Sequence, residues 1–271
     1  MLDVLVVAAI EAGRAILDVA KGDVGLRLKA DESPVTAADA AAEAILTEAL
    51  TQAFADVPVV AEEAVAAGRS PGDLGRRFFL VDPLDGTREF LAGNGEYTVN
   101  VALVEDGRPV AGVVYAPALG EIFEGRVGEG AWAGRVLADG SIEKRPIAAR
   151  RHAREVPVVL ASRSHCGAET ETCLASLGPH ERISVGSSLK FARLAEGAAD
   201  LYPRLGRTME WDTAAGEAVV TAAGGRVVGL DGRPLVYGRA DRSFANPWFL
   251  AFADADLGAR AARAARDAAR T

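Results

Sequence analysis

A chain of 271 residues, 49% of them apolar, can bury a sizeable core as one large α/β domain or as two lobes sharing a cleft. Its formal charge of −8 excludes the broad basic patch of a nucleic-acid binder, though not an anionic small molecule met by locally gathered cations or metal ions. Two cysteines, Cys166 and Cys173, without a metal-like cluster around them, exclude a disulfide framework and fit reduced thiols in the cytoplasm.

The first 22 residues are apolar but lack the basic start of a signal peptide. Asp3, Glu11, Arg14 and Asp18 interrupt them at helical spacing, which predicts an amphipathic helix ending near Lys21 and Gly22. No other stretch approaches a membrane span. An alanine-rich helix is expected from Thr36 to about Ala53, followed by strands in VPVVAEE and in RFFLVD. YTVNVALVEDGRPVAGVVYAP reads as a hairpin turned at Glu105-Asp106-Gly107. The glycine-rich segment 125–147 predicts short strands and turns, and residues 146–156 form a basic joint. The pattern changes there, dividing the chain into residues 1–150 and 151–271. Beyond the joint come a strand in PVVLAS, helices in AETETCLASL and SSLKFARLAEG, and a strand in ADLYPR. WDTAAGEAVVTAAGG is a helix with a glycine stop, WFLAFA a late strand, and the Ala/Arg tail from Asp254 a solvated surface helix. Helices alternating with strands predict layered α/β lobes, without internal repeats.

Six acids fall at or just beyond the ends of these elements: Asp39, Glu62, Glu63, Asp82, Asp85 and Asp212. Asp82 and Asp85 flank a proline turn, so both carboxylates can face one point, and the carbonyl of Leu84 can join them. Such hard oxygen donors suit Mg²⁺, which binds through a few carboxylates and phosphate oxygens and keeps several waters. Gly86 permits close backbone approach, and the amides of Gly86 and Thr87, opening a helix, would receive an anion. Ordinary alternatives exist for each. Asp-Pro-x-Asp-Gly is turn chemistry, and paired glutamates after a strand suit a solvated loop. TAAD at 36–39 is a capping box for Asp39, and Asp212 can be the N-cap of its own helix, with Gly216 allowing close packing.

Taken together, Glu62-Glu63, DPLDGT (82–87) and WDTAAG (211–216) resemble the three metal motifs of the inositol monophosphatase superfamily, in the right order and approximate spacing. SPVTAAD (33–39), VDPLDGTREF (81–90), NGEYTVNVALV (94–104) and GVVYAP (112–117) sharpen the resemblance toward the CysQ-type 3'(2'),5'-bisphosphate nucleotidase branch. So do SRSH (162–165), GSSLKF (186–191) and EGAADLYPR (196–204). AEEAVAAG (61–68) is closer to the inositol monophosphatase branch, and Arg88 stands where the nucleotidase branch commonly has lysine.

The resemblance implies an α/β (α+β) sugar-phosphatase fold, a five-layer αβαβα sandwich with the site between two lobes. It implies Mg²⁺-dependent, typically Li⁺-inhibited hydrolysis of a phosphomonoester. One ion would be held by Glu62, Asp82 and the Leu84 carbonyl, and a second by Asp82, Asp85 and Asp212. A third, weaker ion near Glu62 would carry the attacking water, which Thr87 paired with Asp39 would orient and help deprotonate. The cap and relay readings of Asp39 compete, and one carboxylate can serve both in part.

Substrate recognition, by the same resemblance, falls to His165, Ser187, Lys190 and Arg204. Lys190 and Arg204 would neutralise the phosphate that is not cleaved, and His165 would stack on or bond the nucleoside. The plain alternatives are a solvated helical lysine, Ser187 as that helix's N-cap, and Arg204 paired with a surface acid. His152 and His180 read as surface residues. The expected reaction removes the 3'-phosphate of adenosine 3',5'-bisphosphate to leave AMP, with the sulfated precursor as a second substrate. An inositol or sugar phosphatase is the alternative enzyme, and a non-catalytic metal- or ligand-binding regulator the alternative of another class. The expected location is cytoplasmic, with peripheral attachment to the inner membrane open; no dimer surface is legible.

Overall fold

Helix α1 (Leu2–Val19) buries Leu5, Ala8, Ala9, Ala12 and Ile16 as one stripe, while Asp3, Glu11, Arg14 and Asp18 stay exposed, as its spacing requires. The computed structural model describes residues 1–22, 24–28, 34–164 and 166–270. The stripe packs on α2 (Ala37–Ala53), which begins after a two-stranded antiparallel ribbon, β1 (Arg27–Leu28) with β2 (Pro34–Val35). Both helices cover one face of a seven-stranded sheet.

That sheet contains β3 (Val59–Ala61), β4 (Arg77–Asp85), β5 (Thr98–Glu105), β6 (Arg108–Ala116), β7 (Glu121–Arg126), β8 (Gly130–Val136) and β9 (Ile142–Ile147) in sequence order. Only β3 and β4 run parallel. Two short helices, α3 (Glu62–Ala66) and α4 (Thr87–Leu91), follow β3 and β4. The chain then builds a second sheet from β10 (Val158–Ser162), β11 (Glu181–Val185), β12 (Leu201–Arg204), β13 (Arg226–Gly229) and β14 (Phe249–Phe252), ordered β11-β10-β12-β14-β13. Helices α6 (Leu189–Ala195) and α7 (Glu210–Ala222) lie between the sheets, and α5 (Ala168–Ser176) with α8 (Ala255–Ala268) covers the far face of the second. The layers are α-β-α-β-α. One apolar cluster, including Phe123, Phe191, Tyr202, Trp211 and Phe249, runs through both sheets and the helices between them.

The central helix α7 lies unusually close to the first sheet. A Cβ on Gly112 would stand 2.5 Å from the Ala215 carbonyl oxygen, and one on Gly125 would stand 2.8 Å from the Val219 Cα. Glycine on β6 and β7 is therefore what lets the α7 backbone settle there. A Cβ on Gly216, on α7 itself, would meet the Phe191 ring at 2.4 Å, so this glycine serves close packing as expected.

Several elements differ from the sequence expectation. The strand expected to stop at Asp82 continues through Pro83 and Leu84 to Asp85, with its register shifting between Asp82 and Asp85. Glu62 and Glu63 open a short helix rather than a loop. Strands β11 and β13 were not expected; most of β11 is exposed and β13 has four residues, so neither carries an apolar run long enough to read. The tail helix α8 is solvated on its arginine side only. Leu257, Ala261, Ala264, Ala265 and Ala268 are buried in an apolar cluster with Leu174 and Leu250.

Candidate active site

Where β4 ends, Asp82 is almost wholly buried and accepts the Leu84 amide at 3.0 Å on Oδ1. Gly86 adopts a left-handed φ of 92° and turns the chain into α4, which Thr87 opens. Asp85 is approached from the second half of the chain: the Ser188 hydroxyl stands 2.8 Å from its Oδ2 and 2.7 Å from the Asp212 carbonyl oxygen. Asn100 on β5 donates to that hydroxyl at 2.9 Å. Asp212 is the third residue of α7, not its N-cap as one reading had it; its Oδ2 accepts the Met209 amide at 2.7 Å. Glu62 opens α3, and the amide of the next residue, Glu63, is held by Glu43 Oε2 at 2.7 Å.

Asp39 divides its two oxygens. Oδ2 accepts the Thr36 amide and hydroxyl, both at 2.7 Å, which is the expected capping box. Oδ1 faces the Thr87 hydroxyl at 3.4 Å, and that hydroxyl is also 3.4 Å from the Leu84 carbonyl oxygen. The cap and the Thr87 contact thus coexist on one carboxylate.

Burial and mutual repulsion define the electrostatics. Burial pushes the Asp82 carboxyl far up, and the charges of Glu62, Asp85, Asp212 and Asp39 push it further. Asp212 is raised by burial, then by Asp85 and Glu62. Asp85 is raised by burial, with Lys190 and the Ser188 hydroxyl opposing. Lys190 is not the solvated helical lysine of the plain reading: it is 4% exposed, and burial lowers it to about 8 while Asp85 pulls the other way. Its ammonium donates to the Val185 and Ser187 carbonyls at 3.2 and 2.5 Å. Ser187 is not a helix cap; Ser188 precedes α6, and Ser187 has a left-handed φ of 44° and a buried hydroxyl without a partner among the described residues. Arg204 is buried at the end of β12 and donates to the Arg207 carbonyl at 2.9 Å.

A cleft of about 250 Å³ collects most of the expected residues: Glu62, Asp85, Gly86, Thr87, Ser187, Lys190, Arg204 and Asp212 line it. Asp39, Asp82 and Leu84 lie buried behind that lining. His165 lies outside the described residues. Sequence reasoning missed Ser188 and Asn100, which tie Asp85 to α7, and Glu43, which holds the start of α3. It also missed Glu89 and Glu96, which reach the 162–165 stretch. Glu89 accepts the Ser164 hydroxyl, and Glu96 pairs with both arms of Arg163 at 2.7 and 2.8 Å while accepting the Gly186 amide. Ser188, Asn100, Glu89 and Glu96 lie inside quoted motifs, so position was legible and partner was not.

The expected metal donors are all hard oxygens: the carboxylates of Glu62, Asp82, Asp85 and Asp212 and the Leu84 carbonyl. Among the described residues no group of three acidic, histidine or cysteine side chains is arranged to hold an ion by itself. Asp82, Asp85, Asp212 and Glu62 nevertheless lie close enough for their charges to raise one another. Mg²⁺ asks one or two carboxylates of a protein and fills its octahedron with water and phosphate oxygens, so the donors present fit it. A cation here would also relieve the repulsion that raises Asp82 and Asp212.

The fold and this site define a phosphatase class. Residues 1–266 match the model of the inositol monophosphatase family, and the chain belongs to that family. It is 45% identical to the 3'(2'),5'-bisphosphate nucleotidase CysQ of Escherichia coli K12 over 251 residues, which are 92% of this chain and 98% of that protein. The CysQ of Salmonella typhimurium is equally similar, at 45% over the same length. The crystal structure of CysQ from Bacteroides thetaiotaomicron, a bacterial member of the inositol monophosphatase family, superposes with a TM-score of 0.78. That pair is 39% identical, over 93% of this chain and 96% of the other. Among the described residues no helix is long and apolar enough to cross a membrane.

Proposed function

We propose that this chain is a Mg²⁺-dependent 3'(2'),5'-bisphosphate nucleotidase that removes the 3'-phosphate of adenosine 3',5'-bisphosphate to give AMP, with the phosphosulfate analogue as a further substrate. The observation that carries the reading is the composition of one cleft: Glu62, Asp85 and Asp212 on its walls with Lys190 and Arg204. A bisphosphate offers a phosphate to be cleaved at the acids and a second anion for the cations. Similarity to curated bisphosphate nucleotidases over nearly the whole chain supports the same substrate.

In this reading Glu62, Asp82, Asp85, Asp212 and the Leu84 carbonyl would hold Mg²⁺, which would supply an acidified water and neutralise charge on the phosphate oxygens. Thr87 and Asp39 form the proton path: the Thr87 hydroxyl, held between Asp39 Oδ1 and the Leu84 carbonyl, aligns the attacking water and passes its proton toward the carboxylate. The Gly86 and Thr87 amides, at the start of α4, would receive the phosphate being cleaved. Lys190 and Arg204 offset the acid cluster and take the phosphate that remains, and Ser187 offers it a hydroxyl without a partner among the described residues. The catalytic motifs lie within residues 1–150, and the last carboxylate with the recognition residues within 151–271.

Phosphate release from adenosine 3',5'-bisphosphate and from inositol 1-phosphate, each with Mg²⁺, EDTA or added Li⁺, tests the reading. Fast turnover of the nucleotide, lost in EDTA and slowed by Li⁺, is expected. Preference for the inositol ester would overturn the substrate assignment, and no turnover of either would overturn the assignment as an enzyme.

A further inference from the structure

Helix α7 carries Asp212 on its first turn, yet the residue before that turn is Met209, which offers no side-chain oxygen to cap the helix. The peptide groups there are held from the far loop between β13 and β14 instead. The Thr208–Met209 peptide is gripped on both sides: its amide, on Met209, donates to Asp212 Oδ2 at 2.7 Å, and its carbonyl, on Thr208, accepts the Asn246 backbone amide at 2.9 Å. The next peptide is gripped likewise. Its carbonyl, on Met209, accepts the Asn246 side-chain amide at 2.7 Å, and its amide, on Glu210, donates to the Phe244 carbonyl at 2.8 Å.

The same Asn246 Nδ2 lies 2.9 Å from the Thr213 hydroxyl and 3.2 Å from the Thr208 hydroxyl. Thr208 and Thr213 both line the cleft, on either side of Asp212. The Thr213 hydroxyl stands 3.1 Å from the Tyr237 hydroxyl, which donates to Glu217 at 2.6 Å. One side-chain amide thus reaches the residue before the helix, the residue after Asp212 and a buried polar chain anchored deeper in α7. None of these partners is an ordinary helix cap, and the amide touches neither the carboxylates nor the cleft lining beyond the two threonines.

We propose that Asn246 is a positioning residue for the metal centre, fixing the Asp212 carboxylate through the peptides on either side of Met209. The inference rests on the reading of Asp212 as a Mg²⁺ ligand. Groups that orient metal ligands from behind typically change metal affinity by about 10- to 100-fold when removed. Asn246→Asp keeps the size of the side chain but replaces its two N–H donors with acceptors facing the Met209 carbonyl. Asn246→Ala removes the contacts without adding a charge.

The test is calorimetric titration of Mg²⁺ into substrate-free wild type, N246A, N246D and D212N, beside the unfolding midpoint of each in EDTA. Mg²⁺ affinity is expected to fall about tenfold or more in both Asn246 variants. N246A activity should then recover as Mg²⁺ is raised, with an unchanged nucleotide KM at saturating metal. Folded Asn246 variants that bind Mg²⁺ like the wild type would overturn the proposal, and so would failure of both to fold, which would make the role purely structural. If D212N itself binds Mg²⁺ like the wild type, the ligand reading fails, and the proposal with it; weak binding by D212N with normal binding by the folded Asn246 variants isolates the failure to Asn246.

Discussion

Glu217 sits in the middle of α7, 6% exposed between the two sheets, and its carboxylate accepts the Tyr237 hydroxyl at 2.6 Å. Burial raises it from 4.5 to about 7, against the opposing pull of that hydrogen bond and of Arg108. The folded chain therefore holds a proton on Glu217 over a range where the unfolded chain has released it, so stability falls as pH climbs from the unfolded value toward the folded one. At about 1.4 kcal/mol for each pH unit between the two values, the loss is about 3 kcal/mol in full, most of it between about pH 5 and pH 8. Glu217→Gln keeps an acceptor for Tyr237 and cannot ionise. Urea unfolding of wild type and E217Q in EDTA, at several pH values across that range, gives the difference directly, because the other raised acids are common to both proteins. E217Q should gain on the wild type by about 3 kcal/mol as pH rises. A difference independent of pH would refute the claim that burial governs this carboxyl.

Three further outcomes follow from the same geometry. Thr87→Ala should lower kcat by about 10²- to 10⁴-fold with Mg²⁺ affinity kept, since the hydroxyl serves proton movement; near-wild-type turnover would remove Thr87 from that role. Lys190→Met should raise KM for the bisphosphate by about tenfold or more, the worth of a charge-assisted contact, while adenosine 3'-monophosphate is turned over with little change in KM; equal effects on both would place Lys190 in support of Asp85 alone. Gly112→Ala forces a methyl group to within 2.5 Å of the Ala215 carbonyl oxygen, which cannot move without shifting α7. Overpacking of this kind costs about 1–3 kcal/mol and here should weaken Mg²⁺ binding too, through Asp212; an unfolding midpoint equal to the wild type would show that α7 can shift freely.

The sequence by itself determined the long elements and the list of acids. Helices α1 and α2 and the β5–β6 hairpin repeat their apolar positions often enough to be read locally, and the acids fall in motifs that resemble those of the family. Short elements were not legible: α3 has five residues and β13 four, too few for any period to show. Only the tertiary structure decided which groups meet. The Ser188 hydroxyl reaches Asp85 across 103 residues, and Asn100 reaches Ser188 across 88. The structure also buried Lys190, which a helical position alone would leave in water, and split the oxygens of Asp39 between a helix cap and Thr87. The physical reason is that a local pattern reports which face of an element is apolar. The partner of a polar group on that face comes from whichever distant segment the packed layers bring against it.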